Sequence, residues 1–424
     1  MVAILFICFV LFIAIGTPIS FAIGFSSIFS VFGGSVTLRM VTERIFSAMD
    51  SFTLLAIPFF ILAGDLMETT GISMRLINLA KVLVGHFRGG LGMVVIVAEY
   101  FFSGISGAVS ADTAALGSIM LPAMARENYS KSRAVGILCG ACAMGILVPP
   151  SMSMVVYGGL TGVSIAALFA AGFLPAFVTA LVLMVQVHFQ ARRENLPAEP
   201  RASFKEVAVA FYKAIPALIM PVIIFGGILG GIFTPTESAV VAVVYGLVIG
   251  VFVFKEISHA ALQAMLLKTA KVTGVVLLLV SVSNIFAWIV TAQQIPQTLA
   301  ASVVSLGAGK FAFLLFAILL FLILGAIMDG LAALIMVVPI FLPIATQLGI
   351  SHLHMGIVII ATVGIGLFTP PVGNALFVAC SIGDVSVTDA GKAMWPYLVT
   401  VLVCILFMAY VPWIVTILPR LLGL

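Results

Sequence analysis

Charged side chains are the scarcest component of this sequence. Only 8% of the 424 residues are Asp, Glu, Lys or Arg, whereas 63% are hydrophobic. Soluble globular domains carry about 25% charged residues, because most of their surface faces water. A water-soluble fold is therefore excluded, and the composition predicts an integral membrane protein.

Several signatures of chemistry are also missing. The sequence contains no GxxxxGKS/T loop for ATP, no HExxH zinc motif and no discernible Ser/His/Asp set. The CxxC pair of Cys139 and Cys142 has neither a second pair nor a nearby His to complete a zinc site. The net charge of +4 is mild and comes from loops, which gives no indication of a nucleic-acid partner. We expect a protein that is not an enzyme and is not driven by ATP.

Long uncharged runs dominate what is present. Residues 2–38 contain no charged side chain and are longer than a signal peptide, so they are expected to be retained membrane structure. At about 20 residues per spanning helix, the chain has room for roughly a dozen membrane segments. Stretches of alternating apolar and polar residues are absent, which argues against an outer-membrane barrel. The predicted fold class is an all-α polytopic membrane protein.

A set of Gly and Pro positions in the first half recurs in the second half at one constant spacing. The most polar stretch, 190–213, separates two apolar halves. The matched positions include Gly104 and Gly325, Leu121-Pro122 and Leu342-Pro343, Gly145 and Gly366, Pro149-Pro150 and Pro370-Pro371, and Pro175 and Pro396. A shared Pro-Pro with flanking Gly and Pro in one register is difficult to obtain by chance. The pattern therefore predicts an internal duplication.

The distribution of basic residues indicates that the two repeats have opposite orientations. The ranges 296–309 and 347–354 of the second half carry no Lys or Arg. The matching loops of the first half carry Arg75, Lys81, Arg88, Arg126, Lys131 and Arg133. Loops rich in Lys and Arg stay on the cytoplasmic side, so matching loops should lie on opposite faces. Inverted repeats of this kind are typical of secondary transporters.

The duplication predicts a division of the chain into two inverted repeats, 1–189 and 214–424, joined by a cytoplasmic linker at 190–213. Each repeat is expected to contain scaffold helices, a re-entrant hairpin and a broken helix. The hairpins and broken helices are placed at about 91–125 and 134–160 in the first repeat, and at about 311–345 and 355–381 in the second.

The two matched proline breaks are the expected location of the chemistry. Proline removes a backbone donor and clashes with the preceding turn, which leaves carbonyl oxygens without helical partners. Within a membrane, such breaks are tolerated only where they line a cavity or are buried in protein. The breaks run from Gly145 to Ser151 and from Gly366 to Asn374, and Thr369 adds a hydroxyl to the second. One break alone would indicate a simple kink, but two matched breaks favour a site in which oxygen atoms bind a hard cation.

Small residues form a turn within each hairpin, at 103–107 and at 325–330. Such turns usually mean only close helix packing, but small residues also allow a hairpin tip to approach a broken helix. Each tip precedes its own proline break by about the same distance. The repetition of this arrangement favours a site at which tip and break meet.

Eight carboxylates lie in or near apolar segments, and each is a functional candidate because a charge in lipid is unfavourable. Asp112 and Asp329 rank highest, since they lie just beyond the two tips. Glu237 follows Thr234-Pro235-Thr236, a pattern typical of a helix start, and Glu99 has no assignment. The others are expected at membrane interfaces or helix caps, namely Asp65, Glu68, Asp384 and Asp389.

No Lys or Arg lies in 101–125, 134–174 or 311–391. An anionic substrate would therefore be held by helix N-termini, hydroxyl groups, Asn374 and bound cations rather than by an internal arginine, or positive charge would reach the site from outside these segments. A further segment, from Lys255 to Lys271, has apolar residues between basic ends. This pattern predicts an amphipathic helix that lies flat at the cytoplasmic interface.

These motifs resemble those of the large, DctM-like membrane subunit of tripartite ATP-independent periplasmic (TRAP) transporters. The resemblance covers essentially the whole chain. It is carried by 103–122 (SGISGAVSADTAALGSIMLP), 148–151 (VPPS), 233–237 (FTPTE), 328–329 (MD) and 369–373 (TPPVG). An appended four-helix segment is absent, so the chain resembles the unfused form, whose small membrane subunit is a separate chain.

The resemblance implies sodium-driven secondary uptake of an organic carboxylate, of the C4-dicarboxylate or sialic acid type. A periplasmic binding protein would deliver this anion, and a transport domain would slide as an elevator against a scaffold formed with the small subunit. The expected location is the lipid bilayer of the bacterial inner membrane, with multiple passes and both termini periplasmic. Nothing in the sequence selects one carboxylate.

The resemblance also implies roles for individual residues. Two coupling Na⁺ ions are expected, bound mostly through backbone carbonyls. One site would use Ser103, Ser106, Gly145, Val148 and Pro150, and the other Gly325, Gly366, Thr369 and Val372. Four residues would face the substrate, namely Asp112, Ser153, Asp329 and Asn374.

Three other functions remain open at this point. A single-component sodium/dicarboxylate or citrate symporter would share hairpins, broken helices and inverted repeats, and it would transport without partner proteins. A channel could also be lined by small-residue tips, but paired broken helices favour alternating access. A membrane-embedded enzyme fits least, since no nucleophile–base pair or metal cluster emerges.

Overall fold

The structure is a computed structural model that describes residues 2–32, 38–194, 196, 198, 200–298, 301, 309–370 and 373–424, with the side chains of Leu38, Ile105 and Ser106 left out. All regular elements in this part of the chain are helical. The first half contains α1 (Val2–Ala14), α2 (Ile19–Phe32), α3 (Leu38–Met49), α4 (Ala56–Thr69), α5 (Ile72–Val84), α6 (Gly90–Ser106), α7 (Val109–Arg126), α8 (Lys131–Gly145), α9 (Met152–Thr161) and α10 (Ile165–Arg193). The second contains α11 (Phe204–Leu229), α12 (Pro235–Val248), α13 (His259–Ala292), α14 (Lys310–Ile327), α15 (Gly330–Gln347), α16 (His352–Gly366), α17 (Asn374–Gly383), α18 (Val387–Tyr410) and α19 (Trp413–Leu421).

Eight of the described helical segments are long and apolar enough to cross a membrane. They are Phe52–Thr69, Ile165–Arg193, Phe204–Leu229, Pro235–Val253, His259–Ala292, Lys310–Ile327, Gly330–Gln347 and Val387–Tyr410. A bilayer core about 30 Å thick requires about 20 helical residues, and these segments approach or exceed that length. The prediction of an all-α polytopic membrane protein is confirmed at this level.

Helix boundaries recur at the spacing found in the sequence. Helices α7 and α15 begin at Val109 and Gly330, and helices α8 and α16 end at Gly145 and Gly366. In each pair, the two boundaries are the same number of residues apart as the matched Gly and Pro positions. Because α6 packs against α7 and α14 packs against α15, the two helix pairs occupy the segments expected to be hairpins.

The central helices of the two halves interdigitate. Helix α7 packs against α17 of the other half, and α8 packs against α18. Helices α8 and α16 also contact each other, and nearly all their residues are buried. The two broken helices therefore form the core of the molecule, with hairpins beside them.

The remaining helices lie around this core. Helices α1 and α2 pack together, α2 packs on α13, and α4 packs on α12. Helix α13 is continuous over 34 residues and begins at His259. Residues 259–271 of the segment expected to be an interfacial helix therefore form its first turns, and 255–258 precede it. Helix α10 continues to Arg193 and α11 begins at Phe204, which leaves 194–203 between the halves.

Capping residues explain where several helices begin. The Thr234 hydroxyl accepts a hydrogen bond from the Glu237 backbone N–H at 3.3 Å, and Glu237 Oε2 accepts one from the Thr234 backbone N–H at 2.8 Å. This reciprocal capping box satisfies two N–H groups that a helix start leaves unpaired. Ser203 and Glu206 form the same arrangement at the start of α11. Glu237 therefore fits the helix-start pattern found in the sequence.

Candidate functional site

The first helix break lies between α8 and α9 and is wholly buried. Helix α8 ends at Gly145, α9 begins at Met152, and the intervening residues include Pro149 and Pro150. The backbone turns tightly here, because Val148 N–H donates to the Gly145 carbonyl at 2.8 Å. Carbonyl oxygens in this turn have lone pairs that no helical partner uses.

The tip of the first hairpin packs directly on this break. A Cβ atom placed on Gly107, which has a φ of +63°, would lie 2.8 Å from the Pro150 carbonyl oxygen. A Cβ atom on Gly104 would lie 3.2 Å from the Pro149 carbonyl oxygen. Glycine is required at Gly107 both by its left-handed backbone and by this approach. In the first half, the hairpin tip therefore contacts the helix break, as the sequence predicted.

A cluster of oxygen atoms fills the space behind this tip. Ser103 Oγ donates a hydrogen bond to Asp112 Oδ2 at 2.9 Å, and both side chains are buried. Glu99, one turn before Ser103 on α6, is fully buried as well. A Cβ atom on Gly145 would overlap the Glu99 carboxylate and lie 2.6 Å from Ser103 Oγ. The end of α8 thus faces a hydroxyl and a carboxylate.

The second break repeats the close approach with backbone alone. Gly325, near the end of α14, lies against Gly366, the last residue of α16. A Cβ atom on Gly366 would lie 2.7 Å from the Cα atom of Gly325. After the break, a Cβ atom on Gly373 would lie 2.8 Å from the Leu367 carbonyl oxygen and 3.0 Å from the Thr369 carbonyl oxygen. Carbonyl oxygens therefore converge here too.

The residues expected to bind sodium fall into these two places. Ser103, Gly145, Val148 and Pro150 lie together at the first break, and Gly325, Gly366 and Thr369 lie together at the second. The Thr369 hydroxyl donates to the Ile365 carbonyl at 3.0 Å, which leaves its oxygen lone pairs available. The side chain of Ser106 and all of Val372 lie outside the described residues. Hydroxyl, carbonyl and carboxylate oxygens are the ligands that hard cations prefer, so the donor atoms at both places fit Na⁺.

A small cavity lies where the two halves meet. The first two residues of three helices line it, and these are Val109 and Ser110 of α7, Met152 and Ser153 of α9, and Gly330 and Leu331 of α15. The first N–H groups of a helix have no intrahelical partner and carry a partial positive charge. The N-termini of α7 and α9 can therefore bind an anion in this cavity, whereas the N-terminus of α15 is capped by the carboxylate of Asp329.

The residues expected to face the substrate separate into two groups. Ser153 and Asp329 line the cavity, and Asp329 Oδ1 accepts a hydrogen bond from Leu331 N–H at 2.9 Å. Asp112 is instead fully buried beside Ser103, and Asn374 is an exposed residue at the start of α17. Their proposed contact with substrate remains a prediction. The sequence analysis did not identify Ser110, whose only signal is its position just after a tip.

Other carboxylates near apolar segments are explained by partners. Asp65 on α4 forms a salt bridge with Lys268 on α13, at 2.6 Å. Asp384 pairs with Lys131 at 2.8 Å, which holds the pKa of Asp384 below its ordinary value through a hydrogen bond and charge attraction. Asp389 donates its backbone N–H to the Ser386 hydroxyl at the start of α18. Asp389 thus lies at a helix start, as expected for it, whereas the interfacial positions expected for the other carboxylates remain predictions.

A larger cleft elsewhere in the molecule has a different character. It lies between α6, α10 and α11, and its lining is almost entirely apolar, with Tyr100, Phe173 and Phe225 among its residues. An organic anion would lose its hydration there without gaining hydrogen bonds. The small cavity with the three helix N-termini is therefore the candidate substrate site.

The fold and the site together define a class of protein. An all-helical membrane chain with two broken helices and two hairpin tips around a small cavity has the architecture of a membrane transport protein. Residues 6–414 match the family described as tripartite ATP-independent periplasmic transporter, DctM component. The chain belongs to this family and is a TRAP transporter large permease, which confirms the resemblance found in the sequence.

Individual relatives agree with this assignment. The chain is 39% identical to the C4-dicarboxylate TRAP transporter large permease protein DctM of Pseudomonas aeruginosa, over 92% of this chain and 91% of that one. It is 37% identical to the sialic acid TRAP transporter large permease protein SiaM of Vibrio cholerae, over 96% of this chain and 95% of that one. Among solved structures, the YdaH transporter of Alcanivorax borkumensis has a similar fold, with a TM-score of 0.65, 16% identity and 88% of each chain covered.

Proposed function

We propose that this permease carries out sodium-coupled uptake of an organic carboxylate, of the C4-dicarboxylate or sialic acid type. The observation that carries the proposal is the cavity lined by three helix N-termini, with no basic side chain among the described residues that line it. Such a cavity favours an anion through backbone N–H groups and leaves the remaining charge to be balanced by bound cations. The names of the relatives given above support carboxylates as the substrate class.

Sodium coupling is the second part of the proposal. Two Na⁺ ions would bind, one at Ser103, Gly145 and the following break, and one at Gly325, Gly366 and Thr369. The donor sets described above support these sites, because they consist of oxygen atoms brought close by glycine. Each net positive charge moved inward gains about 2.3 kcal/mol per 100 mV of membrane potential, so excess sodium over substrate charge would drive accumulation.

The architecture we propose is a pair of inverted repeats, 1–189 and 214–424, joined by a cytoplasmic linker at 190–213. The recurrence of helix boundaries at the spacing of the Gly and Pro positions supports the duplication. The hairpins and broken helices would form a transport domain that moves as an elevator against scaffold helices. The chain would lie in the bacterial inner membrane with both termini periplasmic.

Partners follow from the family. TRAP large permeases work with a small membrane subunit and a periplasmic binding protein. We propose that here the small subunit is a separate chain that completes the scaffold. The binding protein would deliver the carboxylate and perform much of the selection.

Reconstitution tests this function. Uptake of radiolabelled succinate and of sialic acid is measured in proteoliposomes, with and without an inward sodium gradient, small subunit and binding protein. We expect uptake of one carboxylate only when all three are present, and equal potassium in place of sodium serves as the control. Sodium-driven uptake by the chain alone would indicate a single-component symporter, and sodium-independent uptake would contradict the coupling.

A further inference from the structure

Glu99 is a fully buried carboxylate on α6. Neither of its carboxylate oxygens accepts a hydrogen bond from an N–H or O–H group of the described residues, and none of the salt bridges found there involves it. Its polar neighbours are the Cys142 thiol, a weak donor, and the Ser103 hydroxyl, whose proton goes to Asp112. Buried ionised carboxylates are normally paired or bound to a metal ion, because desolvation penalises an isolated charge. An ionised Glu99 therefore requires a cation from outside the protein chain.

The carboxylate is aimed at the helix break. A Cβ atom on Gly145 would overlap Glu99 Oε1 and lie 2.6 Å from Ser103 Oγ, so these two oxygens and the end of α8 meet at one point. Only the absence of a side chain at Gly145 allows this approach. The unpartnered carboxylate thus lies beside the donor atoms proposed to bind the first Na⁺.

Two negative features lie close to Glu99. The C-terminus of a helix carries partial negative charge, and α8 ends at Gly145. Asp112 adds a second carboxylate, which accepts the hydrogen bond from Ser103. No Lys or Arg occurs in 101–125 or 134–174. A carboxylate at a helix C-terminus is unfavourable unless a cation lies between them.

The two halves differ here although their breaks match. At the spacing that relates the two breaks, the counterparts of Glu99 and Asp112 are Leu320 and Ala333, neither of which carries a charge. The second break therefore offers only hydroxyl and carbonyl oxygens as ligands for a cation. The first break offers the same kinds of oxygen together with two carboxylates.

We infer that Glu99 supplies the fixed negative charge of the first sodium site. Asp112 acts as a positioning residue. It accepts the hydrogen bond from the Ser103 hydroxyl, and this orients the lone pairs of Ser103 Oγ away from Asp112. The inference rests on the proposed sodium coupling and deepens it. Its consequence is that the first site binds Na⁺ chiefly by charge, whereas the second binds it by neutral dipoles.

The test measures sodium binding by thermal stability rather than by transport. The permease is purified together with its small subunit, and its melting temperature is followed from 0 to 300 mM NaCl with choline chloride keeping ionic strength constant. The variant is Glu99→Gln, which keeps the size of the side chain and removes the charge. The parent protein for this comparison carries Thr369→Val, and Glu99→Gln is introduced into that parent, so that the first site dominates the sodium response of both. Glu68→Gln is the control, because Glu68 is a half-buried glutamate on α4, away from the break.

We expect Glu99→Gln to raise the sodium concentration at half-maximal stabilisation at least tenfold, whereas Glu68→Gln leaves it within twofold. An unchanged midpoint in Glu99→Gln would overturn the inference while leaving sodium coupling intact. No sodium response in the unsubstituted protein, measured in the same series, would instead contradict sodium coupling itself, and the inference with it.

Glu99→Asp keeps the experiment decisive if the Gln variant does not fold. Aspartate retains the charge on a shorter side chain, so we expect its sodium midpoint to stay within a few-fold of the parent value. A shift of tenfold or more in a folded Asp variant would mean that shape rather than charge matters, and it would overturn the inference.

Discussion

Gly325 and Gly366 lie against each other with no room for a side chain on either. A Cβ atom on Gly366 would be 2.7 Å from the Gly325 Cα atom, and one on Gly325 would be 2.8 Å from the Gly366 Cα atom. Real Cβ atoms essentially never approach so closely, so the two backbones require glycine at both positions. This contact joins the last turn of α14 to the second helix break.

Gly366→Ala should therefore destabilise the protein and weaken sodium binding together. Overpacking of a tight contact typically costs about 1–3 kcal/mol, and the shift would separate the donor atoms at the break. Thermal unfolding of the purified complex, with and without NaCl, measures both effects. The matched control is Gly226→Ala on α11, where an added Cβ atom meets nothing within 4 Å. Equal melting temperatures for the two variants would contradict the close approach.

Thr369→Val should reduce the sodium dependence of uptake without unfolding the protein. The substitution keeps the shape of the side chain and removes the oxygen proposed as a ligand. Thr362→Val is the control, because the Thr362 hydroxyl makes the same type of bond, to the Val358 carbonyl at 2.7 Å, but one turn or more before the break. We expect the sodium concentration for half-maximal uptake to rise about tenfold in Thr369→Val only. Identical sodium curves would remove Thr369 from the site.

Asp329→Asn should impair uptake while preserving the start of α15. Asparagine is as good an N-cap as aspartate, so the hydrogen bond to the Leu331 N–H can be kept. The substitution removes the carboxylate that we propose faces the substrate, and we expect initial uptake rates at least tenfold lower at an unchanged melting temperature. Asp389→Asn, at the start of α18, serves as the capping control outside the cavity. Normal uptake by Asp329→Asn would make Asp329 purely structural.

The salt bridge between Lys131 and Asp384 should contribute to stability in a pH-dependent way. Lys131 lowers the pKa of Asp384 in the folded protein, so the contribution is fully present above the ordinary Asp pKa of about 3.9 and is lost as pH falls through the folded value. Both side chains are exposed, so we expect only a small change in melting temperature at pH 7.

A double-mutant cycle of Lys131→Gln and Asp384→Asn isolates this interaction. The coupling between the two substitutions should be measurable at pH 7 and absent below the folded pKa of Asp384. Coupling that stayed constant down to low pH would show that the two residues interact by something other than charge.

The sequence predicted those features that depend on proline, glycine and charge. Pro149-Pro150 and Pro370-Pro371 located the two breaks because no continuous helix passes two adjacent prolines with its hydrogen bonds intact. It missed the continuity of α13, since the basic residues near its start suggested an interface while nothing between them interrupts a helix. It also left Glu99 unassigned, because its significance depends on the position of Gly145, which lies on a different helix, two elements further along the chain.

The proposed recognition of the substrate by backbone N–H groups has an evolutionary consequence. A donor that belongs to the main chain survives every replacement of its own residue except replacement by proline. At Ser110 and Ser153, mutation can therefore reshape the walls of the cavity without abolishing its preference for an anion. Permeases built this way can diverge toward new carboxylates through a few side chains, while the affinity for negative charge is inherited with the fold.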